Sequence, residues 1–197
     1  MLVLVNFPMM IGLAVIARPL VLVLLTEKWA ACIPYLQLFC VVGLLYPLHV
    51  INLNVLTALG RADLFLRLEI IKKILIVINI AVTVRWGISA MIYGMIGTSI
   101  ISYYLNSYYT GVLIGYPIRE QLRDLFPYLI LAVMMGMAVY AAGLLPFPNH
   151  WSILLLQMPL GIVIYVCLCW LFRLTAFMEM WQGGWNKMPF FRAGTAG

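Results

Sequence analysis

The sequence predicts an all-α protein, a polytopic bundle of about six transmembrane helices. Hydrophobic residues make up 65% of its 197 residues and charged residues 9%, and the mean hydropathy is +1.08. Soluble domains carry about 25% charged residues, so this chain lacks the polar surface that a water-exposed globule needs. Three stretches without Asp, Glu, Lys or Arg, 29–60, 86–118 and 125–172, each exceed the ~20 apolar residues of a spanning helix. They show no repeated apolar/polar alternation, which argues against a transmembrane barrel.

Turn-forming and charged residues divide the chain into spans. The breaks are "TEKWAA", "GRAD", "RWG", "GYPIREQLRDLFP" and "PFPNHW", in which Gly and Pro favour helix ends. The predicted spans cover residues 2–26, 31–58, 64–84, 88–111, 126–145 and 151–173. The second is long enough to tilt or to kink at Pro47. Residues 1–174 are therefore predicted to form one transmembrane bundle, and residues 175–197 a cytoplasmic interfacial tail with Trp181 and Trp185.

Lys and Arg are unevenly divided between the two sides of the membrane when the spans alternate in direction. Nine lie on one side: Arg61, Arg67, Lys72, Lys73, Arg119, Arg123, Arg173, Lys187 and Arg192. The opposite loops hold only Lys28 and Arg85. Because cytoplasmic loops are enriched in Lys and Arg, both ends of the chain are predicted to be cytoplasmic, in a multi-pass membrane protein.

One segment concentrates the charge. In "LGRADLFLRLEIIKK", residues 59–73, four cations accompany two carboxylates: Arg61, Arg67, Lys72 and Lys73 with Asp63 and Glu69. One interpretation is a helix end anchored by snorkelling cations, with Glu69 paired to a lysine three or four residues away. The other is that part of the cluster lines a cationic mouth for an anionic headgroup.

Polar residues at membrane depth are the remaining candidates for a binding site, because they are costly there. Arg18 lies eight residues before the end of its span, about 12 Å of helix, so it must snorkel, pair or face a wet cavity. Asn52, Asn54 and Asn79 either line a cavity or form hydrogen bonds between helices.

The stretch "SYYLNSYYTG", residues 102–111, is the richest in polar and aromatic residues. Its candidates for substrate contact are Tyr104, Asn106 and Tyr108. Its tyrosines fit an interfacial aromatic belt, or flat surfaces on which sugar rings can stack.

No arrangement of residues typical of an enzyme is present in the sequence. His49 and His150 are far apart, and no nucleophile or carboxylate is placed beside a base. The four cysteines lie in apolar runs and are predicted to be free thiols. We therefore expect no catalysis, no cofactor and no metal. The net charge of +6 is assigned to membrane topology and not to nucleic-acid binding.

Three segments carry a resemblance to a known family: "PMMIGLAVIARPLVLVLLTEKW", "NLNVLTALGRADLFLRLEIIKK" and "SYYLNSYYTGVLIGYPIREQLRDLFP". In this order and spacing they resemble the Wzx-type polysaccharide flippases of the multidrug/oligosaccharidyl-lipid/polysaccharide exporter superfamily. The resemblance implies two pseudo-symmetric helical bundles around a cavity, of which this chain is the C-terminal one. The N-terminal half is then an expected partner.

The resemblance also implies a function. Family members move polyprenyl-diphosphate-linked oligosaccharides across the inner membrane, so the expected partners are that substrate and membrane lipids, with glycan polymerase and glycosyltransferases as further candidates. Two alternatives stay open: a multidrug cation antiporter of the same superfamily, and an inactive fragment or membrane scaffold of the glycan-assembly machinery.

Overall fold

The computed structural model describes residues 2–145, 149–174 and 177–178, and this part of the chain is a helical bundle. The long helices are α1 Leu2–Leu24, α2 Ile33–Ala58, α3 Ala62–Thr83, α4 Ile88–Ile114, α5 Ile118–Gly143 and α6 His150–Leu171. Short 3-10 helices, Glu27–Cys32 and Val84–Trp86, precede α2 and α4. The predicted all-α bundle is confirmed. The predicted tail, residues 175–197, lies outside the described residues apart from 177 and 178.

Five of the six long helices are long and apolar enough to cross a membrane. The exception is α3, because Arg67, Glu69, Lys72 and Lys73 all lie within its residues 62–73. Its length of 22 residues still matches the thickness of a bilayer. Hydropathy therefore identifies five spans. The charged segment forms the first part of α3, which is the sixth long helix.

One helix boundary differs from the sequence-based prediction. The segment "GYPIREQLRDLFP" was predicted as a break, but α5 begins at Ile118 and continues through Pro127. Only Gly115 to Pro117 interrupt the helices: Gly115 closes α4 in the left-handed conformation, at φ 69°, and Pro117 precedes α5. Arg, Glu, Gln and Leu are good helix formers. The charges thus mark the end of the apolar region and not the end of the helix.

The helices pack as two groups of three. The first group, α1, α5 and α6, surrounds a core that includes Phe7, Met135 and Cys169. The second, α2, α3 and α4, surrounds a smaller core of Leu56, Leu64 and Leu68. Helix α1 also packs along α2, which joins the groups.

The outer surface is strongly apolar. Between 17% and 28% of each apolar window in the five candidate spans is buried inside the bundle, and the rest of each window is partly or fully exposed. Large side chains such as Val77, Val112 and Leu155 are at least 65% exposed. Hydrocarbon tails can cover such a surface whereas water cannot, which agrees with a bundle embedded in lipid.

Candidate functional site

A buried glutamine on α5 connects three helices by hydrogen bonds. Gln121 Oε1 accepts a bond from Asn52 Nδ2 of α2 at 2.9 Å and from the Tyr103 hydroxyl of α4 at 3.3 Å. Its Nε2 donates to the backbone oxygen of Tyr116 at 3.0 Å. Gln121 and Asn52 are 4% and 1% exposed. Buried polar groups are retained when they are hydrogen bonded, and these bonds fix α5 to α2 and α4.

A second polar contact lies one helical turn away. Asn106 Nδ2 of α4 is 3.4 Å from His49 Nδ1 of α2, and the His49 ring meets Tyr103 edge-on, with centroids 6.4 Å apart. Asn106 is fully buried. Its Oδ1, like that of Asn52, accepts no hydrogen bond from any described residue. These two oxygens can accept hydrogen bonds from water or from a ligand hydroxyl.

Part of the charged segment reaches this network. Lys72 Nζ donates to Glu69 Oε1 at 2.6 Å, and the two side chains are only 14% and 33% exposed. Both interact electrostatically with the His49 ring. Lys72 lies four residues after the buried Leu68, and about 15 Å along α3 from its start. Hence the Lys72–Glu69 pair faces the bundle interior.

The other three cations of the segment point away from the interior. Arg61 forms an exposed bidentate pair with Asp63, from Nε to Oδ1 at 3.0 Å and from Nη2 to Oδ2 at 3.1 Å. Hydrogen bonding from Arg61 lowers the pKa of Asp63, which stays ionised. Arg67 and Lys73 are exposed, and neither forms an ion pair with a described residue. This arrangement suits an anchor at the membrane surface.

A pocket of about 700 Å³ opens beside Gln121, between the starts of α1 and α5 and the end of α6. Arg123, Asp124 and Arg173 contribute the charges of its lining. The Tyr116 hydroxyl donates to the Asp124 carboxylate. Burial and this carboxylate raise the pKa of Tyr116, so it remains a neutral donor near pH 7. Two arginines and one carboxylate give this lining a net positive charge, which suits an anion.

The remaining predicted residues are dispersed. Asn79 is buried and donates to the backbone oxygen of Met91 at 3.3 Å, so it acts between α3 and α4. Tyr104 and Tyr108 are each 60% exposed on the outer surface. Arg18 and Asn54 are also exposed. The structure brings Asn52, Asn106 and Lys72 together and leaves the others apart; the role of each in substrate binding stays a prediction.

Sequence reasoning missed the centre of the network. Gln121 lies in the segment that the sequence predicts as a loop, and His49 is not a sequence-based candidate because His150 is far from it. The signal that could have found them is polarity within an apolar run: His49 is three residues before Asn52 on α2, and thus on the same helix face.

Among the described residues, no group of His, Cys, Asp and Glu is arranged to hold a metal ion. Apolar helices that enclose a buried polar network define the chain as a helical membrane protein. Comparisons with known proteins refine this class.

A family model described as "Polysaccharide biosynthesis protein" matches residues 1–34. The teichuronic acid biosynthesis protein TuaB of Bacillus subtilis is 31% identical over 185 residues, covering 88% of this chain and 36% of TuaB. The lipopolysaccharide biosynthesis protein WzxC of Escherichia coli is 29% identical over 143 residues, covering 71% of this chain and 29% of WzxC. No solved structure matches.

An uncharacterized membrane protein in the cps region of Klebsiella pneumoniae is 29% identical over 96 residues, which cover 49% of this chain and 19% of that protein. The chain thus spans about a third of the length of its first two relatives. The predicted resemblance to the Wzx-type flippases is confirmed: the chain is a multi-pass membrane protein similar to membrane proteins of polysaccharide biosynthesis.

Proposed function

We propose that the chain is a transport bundle of a flippase that moves polyprenyl-diphosphate-linked oligosaccharide across the bacterial inner membrane. The observation that carries the proposal is the buried network of Asn52, Asn106 and Gln121 beside the Lys72–Glu69 pair. A sugar chain needs hydrogen-bonding groups inside the bilayer, where bare polar groups are costly. The relatives in teichuronic acid and lipopolysaccharide biosynthesis support this assignment.

The proposed mechanism is alternating access. This bundle would correspond to the C-terminal half of a two-bundle transporter, and rocking of one bundle against the other would expose the cavity to each side in turn. The protein acts as a transporter and not as an enzyme: its residues bind and release the substrate without changing its covalent bonds. Its further proposed partners are the N-terminal half, glycan polymerase and glycosyltransferases.

The electrostatics disfavour export of organic cations. A cation antiporter needs an unpaired carboxylate inside the bundle, whereas Glu69 is bonded to Lys72 at 2.6 Å. Asp63 and Asp124 lie at helix starts, bonded to Arg61 and Tyr116. An anionic substrate fits this arrangement better.

The test is a flipping assay in proteoliposomes with a fluorescent polyprenyl-diphosphate oligosaccharide, read by quenching from outside. The assayed proteins are the chain itself and a chimera in which it replaces its matching region of TuaB. We expect the chimera to flip the lipid, and Asn106→Leu to abolish flipping because a sugar hydroxyl loses its acceptor. Asn54→Leu, at an exposed position on α2, is the matched control.

Equal flipping by the Asn106→Leu and Asn54→Leu chimeras would contradict a role of the network in transport. A chimera that inserts normally but does not flip, beside an active TuaB, would favour the inactive or scaffolding alternative.

A further inference from the structure

Helix α3 lies at the edge of the bundle. It packs mainly on α4 and more lightly on α2, and its buried residues are Leu64, Leu68 and Asn79. Leu66 and Ile70 are each two residues from Leu68, so they are rotated by about 200° from it around the helix and point away from the bundle. Most of the surface of α3 is therefore left uncovered by the described helices.

A seam of five residues follows the outward face of α3. Its members are four, three, four and three residues apart in the chain: Leu66, Ile70, Lys73, Val77 and Ile80. The four aliphatic members are between 45% and 65% exposed, and Lys73 is exposed as well. Alternation of three and four residues is the repeat by which one helix packs along another, with aliphatic residues preferred at these positions. The outward face of α3 thus has the pattern of a helix interface, with a cation at its middle.

Lys73 distinguishes the seam from a face that only lipid covers. It lies about 16 Å along α3 from its start, which is about half the thickness of a ~30 Å hydrocarbon core. It forms no ion pair with a described residue. With α3 across the membrane, snorkelling toward the cytoplasmic surface serves this ammonium only while the seam is uncovered. Once a second helix covers the seam, the charge needs a counter-charge on that helix.

The charge decides which kind of helix fits. Two copies of this chain that pair along α3 in one membrane run parallel about a twofold axis, which places Lys73 against Lys73. Like charges in contact oppose such a pair. Glu69 cannot supply the counter-charge, because it is bonded to Lys72 of its own helix at 2.6 Å. The seam therefore fits a different helix, which carries a carboxylate at the depth of Lys73.

We propose that the seam of α3 is a docking surface for a transmembrane helix that lies outside this chain and carries a carboxylate near the middle of the bilayer. The carboxylate pairs with Lys73 and fixes the register of the two helices, and aliphatic side chains of the partner pack between the other members of the seam. The docking does not depend on which substrate the bundle transports.

The experiment is photocrosslinking of the whole chain to synthetic transmembrane peptides in phosphatidylcholine vesicles. Ile74, an exposed residue beside Lys73, is replaced by p-benzoylphenylalanine. Each peptide is a Leu/Ala helix of about 24 residues with lysines at both ends, and its central residue is Glu, Gln or Lys. We expect the Glu peptide to crosslink about tenfold more than the Gln peptide, and the Lys peptide to crosslink least.

Paired variants isolate the charge. Lys73→Met should make the Glu and Gln peptides crosslink equally, and Lys73→Glu should reverse the preference in favour of the Lys peptide. Lys28→Met removes an exposed cation outside α3 and should leave the preference for the Glu peptide unchanged. With the crosslinker at Leu155, an exposed residue of α6, the three peptides should crosslink equally and weakly.

Equal crosslinking of the Glu and Gln peptides beside Lys73, or none, would overturn the proposal, as would an unchanged preference in Lys73→Met. Crosslinks from Ile74 to a second copy of the chain, in place of crosslinks to the Glu peptide, would show that the seam pairs α3 with α3 and would also overturn it. A failed flipping assay would leave the docking surface standing, because the peptides report on α3 and not on transport.

Discussion

At the scale of single residues, the charge-rich segment 59–73 divides by helix face. Lys72 and Glu69 point into the bundle, near His49, while Arg67 and Lys73 point outward. Four cations that look equivalent in the sequence therefore meet different surroundings. Three cations lie where an anchor is needed, and Lys72 lies beside the polar network, so the binding of an anionic headgroup stays a prediction that concerns Lys72.

We predict that Lys72→Ala destabilises the protein by about 1–3 kcal/mol, because it leaves the partly buried Glu69 carboxylate without its partner. Lys73→Ala, at the next and exposed position, should be nearly neutral. The double variant Lys72→Ala with Glu69→Ala should recover much of the loss, because no lone charge remains. Thermal unfolding in detergent measures all three, and equal effects of Lys72→Ala and Lys73→Ala would show that the pair adds no stability.

At the scale of helices, polar side chains connect elements whose apolar contacts are few. Helices α4 and α5 touch lightly, but Gln121 bonds Tyr103 on α4 and Asn52 on α2. On the other side of the bundle, Asn79 donates to Met91 and so joins α3 to α4. Interhelical hydrogen bonds are a recognised source of helix association in lipid, where the hydrophobic effect gives no preference between helix and lipid contacts.

Substitution of Gln121 should loosen α5. Gln121→Leu removes an acceptor of two bonds and a donor of one, so we expect a loss of about 1–3 kcal/mol and faster proteolysis between α4 and α5. Gln37→Leu is the control, since Gln37 makes one exposed bond, to the oxygen of Ala14. Limited proteolysis in detergent compares the two, and identical cleavage would show that Gln121 does not hold α5.

The contact between α3 and α4 depends on a glycine. A methyl group at Gly94 would overlap the Asn79 side-chain amide, so Gly94→Ala must displace Asn79 or separate the helices. We predict destabilisation by about 1–3 kcal/mol, despite the better helix propensity of alanine. Gly97→Ala, three residues on and with open space around it, should instead be neutral or mildly stabilising. Equal unfolding temperatures for the two variants would contradict this packing.

At the scale of the whole molecule, the sequence predicts the helices better than the contacts between helices. Long uncharged runs locate the apolar helices. A run of that length in lipid must be helical, because a helix satisfies its own backbone hydrogen bonds. The start of α5 was missed, since Arg119 to Asp124 end the apolar run without ending the helix. The contact of Asn52 with Gln121 could not be predicted either. In the sequence 69 residues separate them, and they meet because α2 and α5 both pack on α1.

The last prediction concerns orientation, which depends on whether α3 crosses the membrane. Its charged half lowers its hydropathy, yet the pairing of Lys72 with Glu69 reduces the cost of placing that half at depth. If α3 spans, the excess of Lys and Arg faces the cytoplasm. In a variant without native cysteines, Asp63→Cys and Asp124→Cys should then be labelled only from the cytoplasm, and Asn149→Cys only from outside.

Gly87→Cys, in the turn between α3 and α4, isolates the role of α3. It should be labelled from outside, opposite to Asp63→Cys, when membrane-impermeant maleimide is applied to intact cells. Labelling of both positions from the same side would show that α3 lies along the membrane surface. The Lys72–Glu69 pair would then face the interface, and the buried network would lose its proposed place within the bilayer.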